Sequence, residues 1–281
     1  MSKNRRREWL DVTLLEAGHS YRSPLVEYLT IFFLYISFSA VYGMAMMTQS
    51  VDTRPGPMWN GTSQIEYLLS YESTVSTFVL SSALERLWMT LLFITPMLIA
   101  YTTARAFEDG SLRTLLSYPV KRSHLLLMRT LIPYLIIGTL STVSILLGLF
   151  LLLPVPLSLS STLFLVGTYW FANLLLTSSV VFISVLTKRM MVSAIGGVAA
   201  WYGLLTLSYM PQVPAMVTWI SNPVRLVYQH LLGGIGSPWR FIIGGGETPL
   251  IGDVLLTFAV MAFVIGLFLM SSILLFRRME V

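Results

Sequence analysis

The stretch "ARAFEDGSLRTLLSYPVKRSHLLLMR", Ala104–Arg129, is a polar block between two long apolar runs. It holds two acidic and five basic residues in a chain of 281 residues of which only 11% are charged. A soluble domain usually carries about 25% charged residues. Together with 55% hydrophobic residues and a mean hydropathy of +0.75, this deficit indicates an integral membrane protein.

The apolar runs on either side of the block, and four others, approach the length of a membrane span. Backbone groups in lipid must be hydrogen-bonded internally, and these runs are continuously apolar rather than alternating, so helices are favoured over barrel strands. We therefore predict an all-α fold of six spans in one membrane domain, residues 1–281. The spans are Leu25–Met47, Val79–Thr103, Leu125–Leu153, Leu163–Leu186, Met190–Tyr209 and Val254–Phe276.

The basic residues predict the orientation of the chain. If both termini are cytoplasmic, fourteen of the 18 Lys and Arg residues lie on the inner side, and only Arg54, Arg86, Arg225 and Arg240 lie outside or near the outer boundary. Because cytoplasmic loops are enriched in Lys and Arg, we expect a multi-pass protein of the cell (plasma) membrane with both termini cytoplasmic.

Three segments outside the spans carry further predictions. Residues 5–22, "RRREWLDVTLLEAGHSYR", have the pattern of an interfacial amphipathic helix, with a cytoplasmic tail as the alternative. Residues 211–253 contain short apolar pieces broken by Gly and Pro, which predict an extracytoplasmic or re-entrant segment rather than a plain surface loop. Asn60 begins an "NGT" glycosylation acceptor, a motif that is common by chance.

The polar block itself has the pattern of a short amphipathic helix. Asp109 or Ser111 can cap its first turn, and Pro119 ends it. Leu112, Leu115 and Leu116 follow at helical spacing and form one apolar face, while Arg113 and Thr114 fall off that face. A leucine face at the membrane surface can bind lipid or a partner protein, or belong to a connector without a partner, and the spacing alone does not choose between them.

Several kinds of chemistry are excluded or disfavoured by the sequence. It has no cysteine, no phosphate-cradling G-x-x-x-x-G-K-[ST] loop, no H-E-x-x-H metal motif and no G-x-S-x-G nucleophile motif. Its three histidines, His19, His124 and His230, are far apart in the sequence. We predict no catalytic, ATP-binding or metal-ligating residue and no bound cofactor. Nucleic-acid binding is disfavoured, since no basic stripe is interleaved with aromatic residues.

A few polar residues lie within or near the spans. Glu85 and Arg86 lie near the outer end of the second span and Asn173 lies deep in the fourth. Ionisable and polar groups in a membrane are often functional, so these three are candidates for a substrate pathway. The alternatives are that Glu85 and Arg86 reach the outer interface and that Asn173 hydrogen-bonds to a neighbouring helix.

The block also carries a family resemblance. The sequence "FEDGSLRTLLSYPVKRSHLLLMR" resembles the cytoplasmic loop of ABC-2 type permeases, the transmembrane subunits of a class of ABC transporters. The matching positions are Glu108, Gly110, Ser111, Leu112, Leu115, Leu116, Ser117, Pro119, Arg122 and Ser123. The resemblance covers nearly the whole chain, because the interfacial helix, the six spans, the broken segment before the last span and the basic end "LLFRRMEV" come in the same order.

This resemblance implies that residues 108–123 form a coupling-helix loop that docks on a separate ATP-binding subunit. It implies an assembly of two permease chains, identical or related, with two ATP-binding subunits that hold ATP and Mg²⁺, and it favours export. The implied partner contacts are Leu112, Leu115 and Leu116 on the apolar side, with Glu108, Ser111, Arg113, Lys121 and Arg122 as polar contacts. The competing hypothesis is a non-transporting scaffold or assembly factor, or an intramembrane enzyme.

Overall fold

The structure, a computed structural model, describes six ranges and one single residue of the chain. These are residues 25–50, 64–111, 122–152, 158–208, 210, 212–233 and 249–278, without the side chains of residues 45, 47–50 and 64–75. All regular secondary structure in these ranges is helical. The predicted interfacial helix at residues 5–22 and the acceptor Asn60 lie outside the described residues.

Six helices within the described ranges are long and apolar enough to cross a membrane, which confirms the all-α fold class and matches each predicted span with one helix. In chain order the first five are α1 Leu25–Ser50, α2 Gln64–Ile99, α3 Arg122–Leu152, α4 Leu159–Thr187 and α5 Met190–Ser208. Two short helices follow, α6 Ala215–Ser221 and α7 Pro223–Gly233, and the last spanning helix is α8 Ile251–Arg278.

Helices α2 and α4 form the centre of the bundle. α2 packs against α1, α3, α4, α5 and α7, and α4 packs against α2, α3, α5, α7 and α8. Trp88, Leu91 and Leu92 of α2 and Leu176 and Val180 of α4 are fully buried in one apolar core. Small hydroxyl residues share this core, and the side chains of Ser81, Ser178 and Ser179 bond to carbonyls of their own helix.

A close contact between α2 and α5 depends on glycine. A Cβ atom at Gly197 of α5 would lie 3.0 Å from the Cβ atom of Pro96 in α2 and 3.2 Å from a methyl group of Val180 in α4. Only a residue without a side chain lets the three helices approach this closely. The contact is made at the proline inside α2, three residues before its α-helical part ends at Ile99.

A two-residue connection, Lys188–Arg189, joins α4 to α5. Lys188 adopts a left-handed conformation with φ 54°, and its amide donates a hydrogen bond to the carbonyl of Ser184 at 3.0 Å. The hydroxyls of Ser184 and Ser193 hydrogen-bond to each other across the turn. α4 and α5 are thus held as a tight helical hairpin.

Candidate functional site

The described parts of the polar block lie where α2 ends and α3 begins, and we call this end of the bundle the block end. α2 does not stop at Ile99 but continues through a π-helix, Ala100–Ala104, and one α-helical turn, Arg105–Glu108. A π-turn widens the helix and occurs often at functional sites. Within it, the carbonyl oxygen of Thr102 accepts a hydrogen bond from Nη1 of Arg129, on α3, at 3.1 Å. The two helices that flank the block are therefore bonded together at its base.

The extension of α2 ends in a defined turn. Nε of Arg105 lies 3.0 Å from Oδ2 of Asp109 in an exposed ion pair, and the same guanidinium lies 4.9 Å from the ring centroid of Tyr101. Gly110 follows with φ +68°, a left-handed conformation that glycine adopts without strain and that commonly ends helices. The Ser111 hydroxyl donates to the carbonyl of Ala106 at 3.4 Å. The chain thus leaves the axis of α2 at Gly110.

The structure places the two ends of the predicted coupling loop and not its centre. Glu108 and Ser111 are exposed after α2, and Arg122 is half-buried at the start of α3. The other candidate contacts, Leu112, Arg113, Leu115, Leu116 and Lys121, lie outside the described residues. Oδ2 of Asp109 pairs with Arg105, which lies one helical turn before it. The helix that Asp109 is predicted to cap lies outside the described residues.

Away from the block end, Glu85 of α2 is tied to the short helices. Nδ2 of Asn222, between α6 and α7, donates to Oε1 of Glu85 at 2.7 Å. Oδ1 of the same asparagine accepts from the backbone amide of Arg225 at 3.1 Å, which caps the first turn of α7. One asparagine side chain therefore both starts α7 and fastens it to α2.

Trp88, less than one turn along α2 from Glu85, makes a second tie. Its indole Nε1 donates to the carbonyl of Ser221 at 3.0 Å. Its ring packs edge-on against Trp201 of α5 with centroids 6.0 Å apart, and Nε1 of Trp201 donates to the hydroxyl of Ser179 on α4 at 2.8 Å. Through these contacts, the two tryptophans connect the short helices to three spanning helices.

Tyr228 of α7 completes the contact between the short helices and α2. Its ring packs against Phe78, with centroids 6.1 Å apart. Burial raises the pKa of the Tyr228 phenol above its ordinary value, and the nearby Glu85 carboxylate raises it further. The phenol therefore stays neutral to a higher pH than an ordinary tyrosine.

Arg86 and Asn173 are the other two candidates for a substrate pathway. Neither takes part in the hydrogen bond between Glu85 and Asn222. Arg86 is exposed, and its guanidinium lies against Gly43 of α1, where an added Cβ atom would be 3.4 Å from Nη1. Asn173 is completely buried in α4, and neither atom of its amide group has a hydrogen-bond partner in the described part of the chain. The interhelical bond expected of Asn173 is not formed with any described residue.

Three contacts of the candidate site were not predicted from the sequence. No local sequence pattern indicates the bonds from Arg129 to Thr102 and from Trp88 to Ser221. Asn222 does leave one, because asparagine followed by proline in "NPVRL" is typical of a helix start. Among the described residues, no group of three or more His, Asp or Glu side chains could hold a metal ion.

Comparisons with models of known protein families and with curated proteins gave no match to the chain.

Proposed function

We propose that this chain is the membrane-spanning permease subunit of an ATP-driven ABC transporter of the ABC-2 type, an exporter that couples to a separate ATP-binding subunit. The observation that carries the proposal is the motif from Glu108 to Ser123. It lies between two spanning helices that are hydrogen-bonded to each other beside it, through Arg129 and Thr102.

The geometry at the block end supports a coupling role for the loop. The loop is attached directly to α2 and α3, and the bond between these helices lies close to both attachment points. A partner that pushes on the loop would therefore move both helices together. Phe107, in the extension of α2, packs edge-on against Phe276 of α8 at 5.8 Å, so the sixth span would be displaced as well.

The ties at Glu85 and Trp88, in the middle part of α2, would carry the displacement away from the block end. Glu85 and Trp88 are both on α2, and they hold the short helices through Asn222 and Ser221. Movement of α2 at the block end would then reposition α6 and α7. In this mechanism the free energy comes from ATP hydrolysis on the partner subunits, which hold ATP and Mg²⁺, and the permease contributes two alternative packings of its helices.

The assembly we propose contains two permease chains and two ATP-binding subunits in the cell membrane, with the polar block and both termini in the cytoplasm. Glu108, Ser111 and Arg122 would contribute polar contacts to the partner at the ends of the loop, joined by Arg113 and Lys121. The leucines at 112, 115 and 116 would fill an apolar groove. No catalytic step is assigned to the permease itself.

The test is a pull-down of the tagged chain from its native membranes, followed by assay of ATP hydrolysis in the purified complex. The variant Leu115→Asp/Leu116→Asp should lose the ATP-hydrolysing subunit, because two carboxylates would be buried in an apolar groove. Thr114→Asp introduces one carboxylate off the leucine face and serves as the control for a charge placed elsewhere in the loop. Full complex formation and ATP-linked transport by the double variant would refute the coupling role of the loop.

A further inference from the structure

Helix α4 carries a line of buried polar side chains along one side, which we call the polar face of α4. It consists of Tyr169, Asn173 and Thr177, which are spaced four residues apart and are completely buried. Residues four apart differ by only about 40° around an α-helix, so the three side chains lie on the same side. Their two hydroxyls and both polar atoms of the amide group have no hydrogen-bond partner among the described residues.

The polar face lies in the middle of a spanning helix. Asn173 is fourteen residues from Leu159, where α4 begins, and fourteen from Thr187, where it ends. At a rise of about 1.5 Å per residue, Asn173 is roughly 21 Å from either end. Its polar atoms expose almost no surface, so in this packing there is no room for water beside them. Buried amide and hydroxyl groups without a partner destabilise the packing that buries them.

Buried hydroxyls on the other sides of α4 are bonded. The Thr168 hydroxyl donates to the carbonyl of Phe164 at 2.7 Å, and the Ser178 hydroxyl donates to the carbonyl of Leu175 at 2.9 Å. Within the described residues, the unpaired buried side-chain groups of α4 are therefore confined to the polar face.

Three helices cover this side of α4. At one end the Tyr169 hydroxyl is near Ser141 of α3, although the two hydroxyls are not bonded to each other. Val180 lies on the same side of α4, seven residues beyond the middle of the polar face. A Cβ atom at Gly197 of α5 would contact both Val180 and Pro96 of α2, so α2 and α5 cover this end.

Of the covering helices, α2 has both an unpaired group and a place to bend. Thr95 is completely buried, and its hydroxyl has no partner among the described residues. The next residue, Pro96, lacks an amide proton and therefore interrupts the hydrogen bonds of the helix. The π-helix Ala100–Ala104 follows closely. Helices bend at such positions, so this part of α2 can swing relative to α4.

We propose that α2 bends between Pro96 and Ala104 and thereby opens a water-filled crevice along the polar face of α4, in equilibrium with the closed packing described above. In the open arrangement, water bonds to Asn173, Thr177 and Thr95, which have no partner in the closed one. These groups carry no charge, so the crevice is suited to water rather than to an ion. The inference concerns the chain itself and does not depend on the proposed transporter function.

The absence of cysteine allows a test by chemical labelling of single-cysteine variants in native membranes, without added nucleotide. We expect Asn173→Cys and Thr177→Cys to react with aminoethyl methanethiosulfonate about tenfold faster than Leu175→Cys or more, because the reacting thiolate forms only where water reaches the thiol. Leu175 is the matched control, since it is 1% exposed at the same depth, on the opposite side of α4. Equal rates in the three variants would overturn the inference.

A second set of variants tests the bend in α2. Pro96→Ala restores a regular helix and should slow the labelling of Thr177→Cys, because α2 then stays straight against α4. Pro133→Ala removes the proline inside α3 and should change that rate little. Continued protection of Leu175→Cys in both backgrounds shows that the bundle remains folded. Labelling of Thr177→Cys that is unchanged by Pro96→Ala, or slowed equally by Pro133→Ala, would refute a bend in α2 as the cause of opening.

Discussion

Nη1 of Arg129 on α3 lies 3.1 Å from the carbonyl oxygen of Thr102, inside the π-helix that interrupts the end of α2. A π-turn disturbs the regular ladder of helix hydrogen bonds, and here a side chain from the neighbouring helix bonds to one of its carbonyls. The bond stabilises an irregular turn and fastens two spanning helices together in a single contact.

Removing this donor should loosen the block end. For Arg129→Met, which keeps a long apolar stem, we expect a loss of about 1–3 kcal/mol in the free energy of unfolding, the usual cost of a polar group left without its partner. Thermal unfolding in detergent and hydrogen exchange of residues 100–108 are the measurements, and exchange should become faster there. Arg105→Met removes an exposed ion pair and the contact of the guanidinium with Tyr101, and it should lower the free energy of unfolding much less than Arg129→Met. Unchanged exchange in Arg129→Met would contradict the proposed role of this bond.

The contact between Glu85 and Asn222 should appear as an energetic coupling. In a double-mutant cycle of Glu85→Ala and Asn222→Ala, we expect a coupling of about 1.5 kcal/mol, the low end for a bond to a charged group because Glu85 is only partly buried. Asn222→Ala should be the more damaging single change, since it also removes the cap of α7. The same cycle with Arg86→Ala in place of Glu85→Ala should show additive effects. Additivity in both cycles would mean that the tie contributes nothing to stability.

Two glycines of α5 provide a matched test of helix packing. Gly197→Ala should destabilise the protein by about 1–3 kcal/mol, because the new methyl group would overlap the rigid ring of Pro96. Gly203→Ala meets no atom within 4 Å and should be neutral or slightly stabilising, since alanine favours a helix. The difference between their unfolding temperatures measures the packing effect alone, and equal temperatures would contradict a close contact at Gly197.

The pKa of Tyr228 predicts its behaviour at high pH. Because burial and Glu85 raise the folded-state pKa, the phenol should remain neutral above pH 10, where tyrosine in the unfolded chain ionises. Its contribution to stability is therefore complete below about pH 10 and is lost as the pH rises through the folded-state pKa. Carbon-13 resonances of labelled tyrosine, with Tyr228→Phe for assignment, would follow the ionisation. Glu85→Gln should lower this pKa, and titration of Tyr228 with an ordinary pKa would contradict the observed burial.

The sequence predicted the spans because lipid imposes a simple rule: about twenty apolar residues form a helix that crosses the membrane. It also indicated short helices in "AMVTWI" and "NPVRLVYQHLL", and these are α6 and α7. The predicted ends of the helices were less accurate than the predicted number of spans. α2 begins at Gln64 rather than near Val79, because its first turns are too polar to be recognised as a span.

The contacts at the candidate site were mostly beyond prediction. Asn222 and Glu85 are 137 residues apart, so their pairing depends on how the helices pack and not on local pattern. A π-turn differs from an α-turn by one residue, and the sequence "AYTTA" of Ala100–Ala104 gives no sign of it. Asn173 was identified as polar and deep in its span, but its lack of a hydrogen-bond partner in the described residues depends on which side chains of other helices face it, and the sequence does not show that.

The two-residue connection between α4 and α5 limits how this bundle can rearrange. Three backbone steps separate Thr187 from Met190 and span at most about 11 Å, little more than the usual distance of 8–10 Å between packed helix axes. The connection thus has almost no slack, and α5 cannot slip lengthwise by a full turn against α4. Any large shear in this protein must occur at other helix–helix contacts of the bundle, with α4 and α5 moving together as one rigid body.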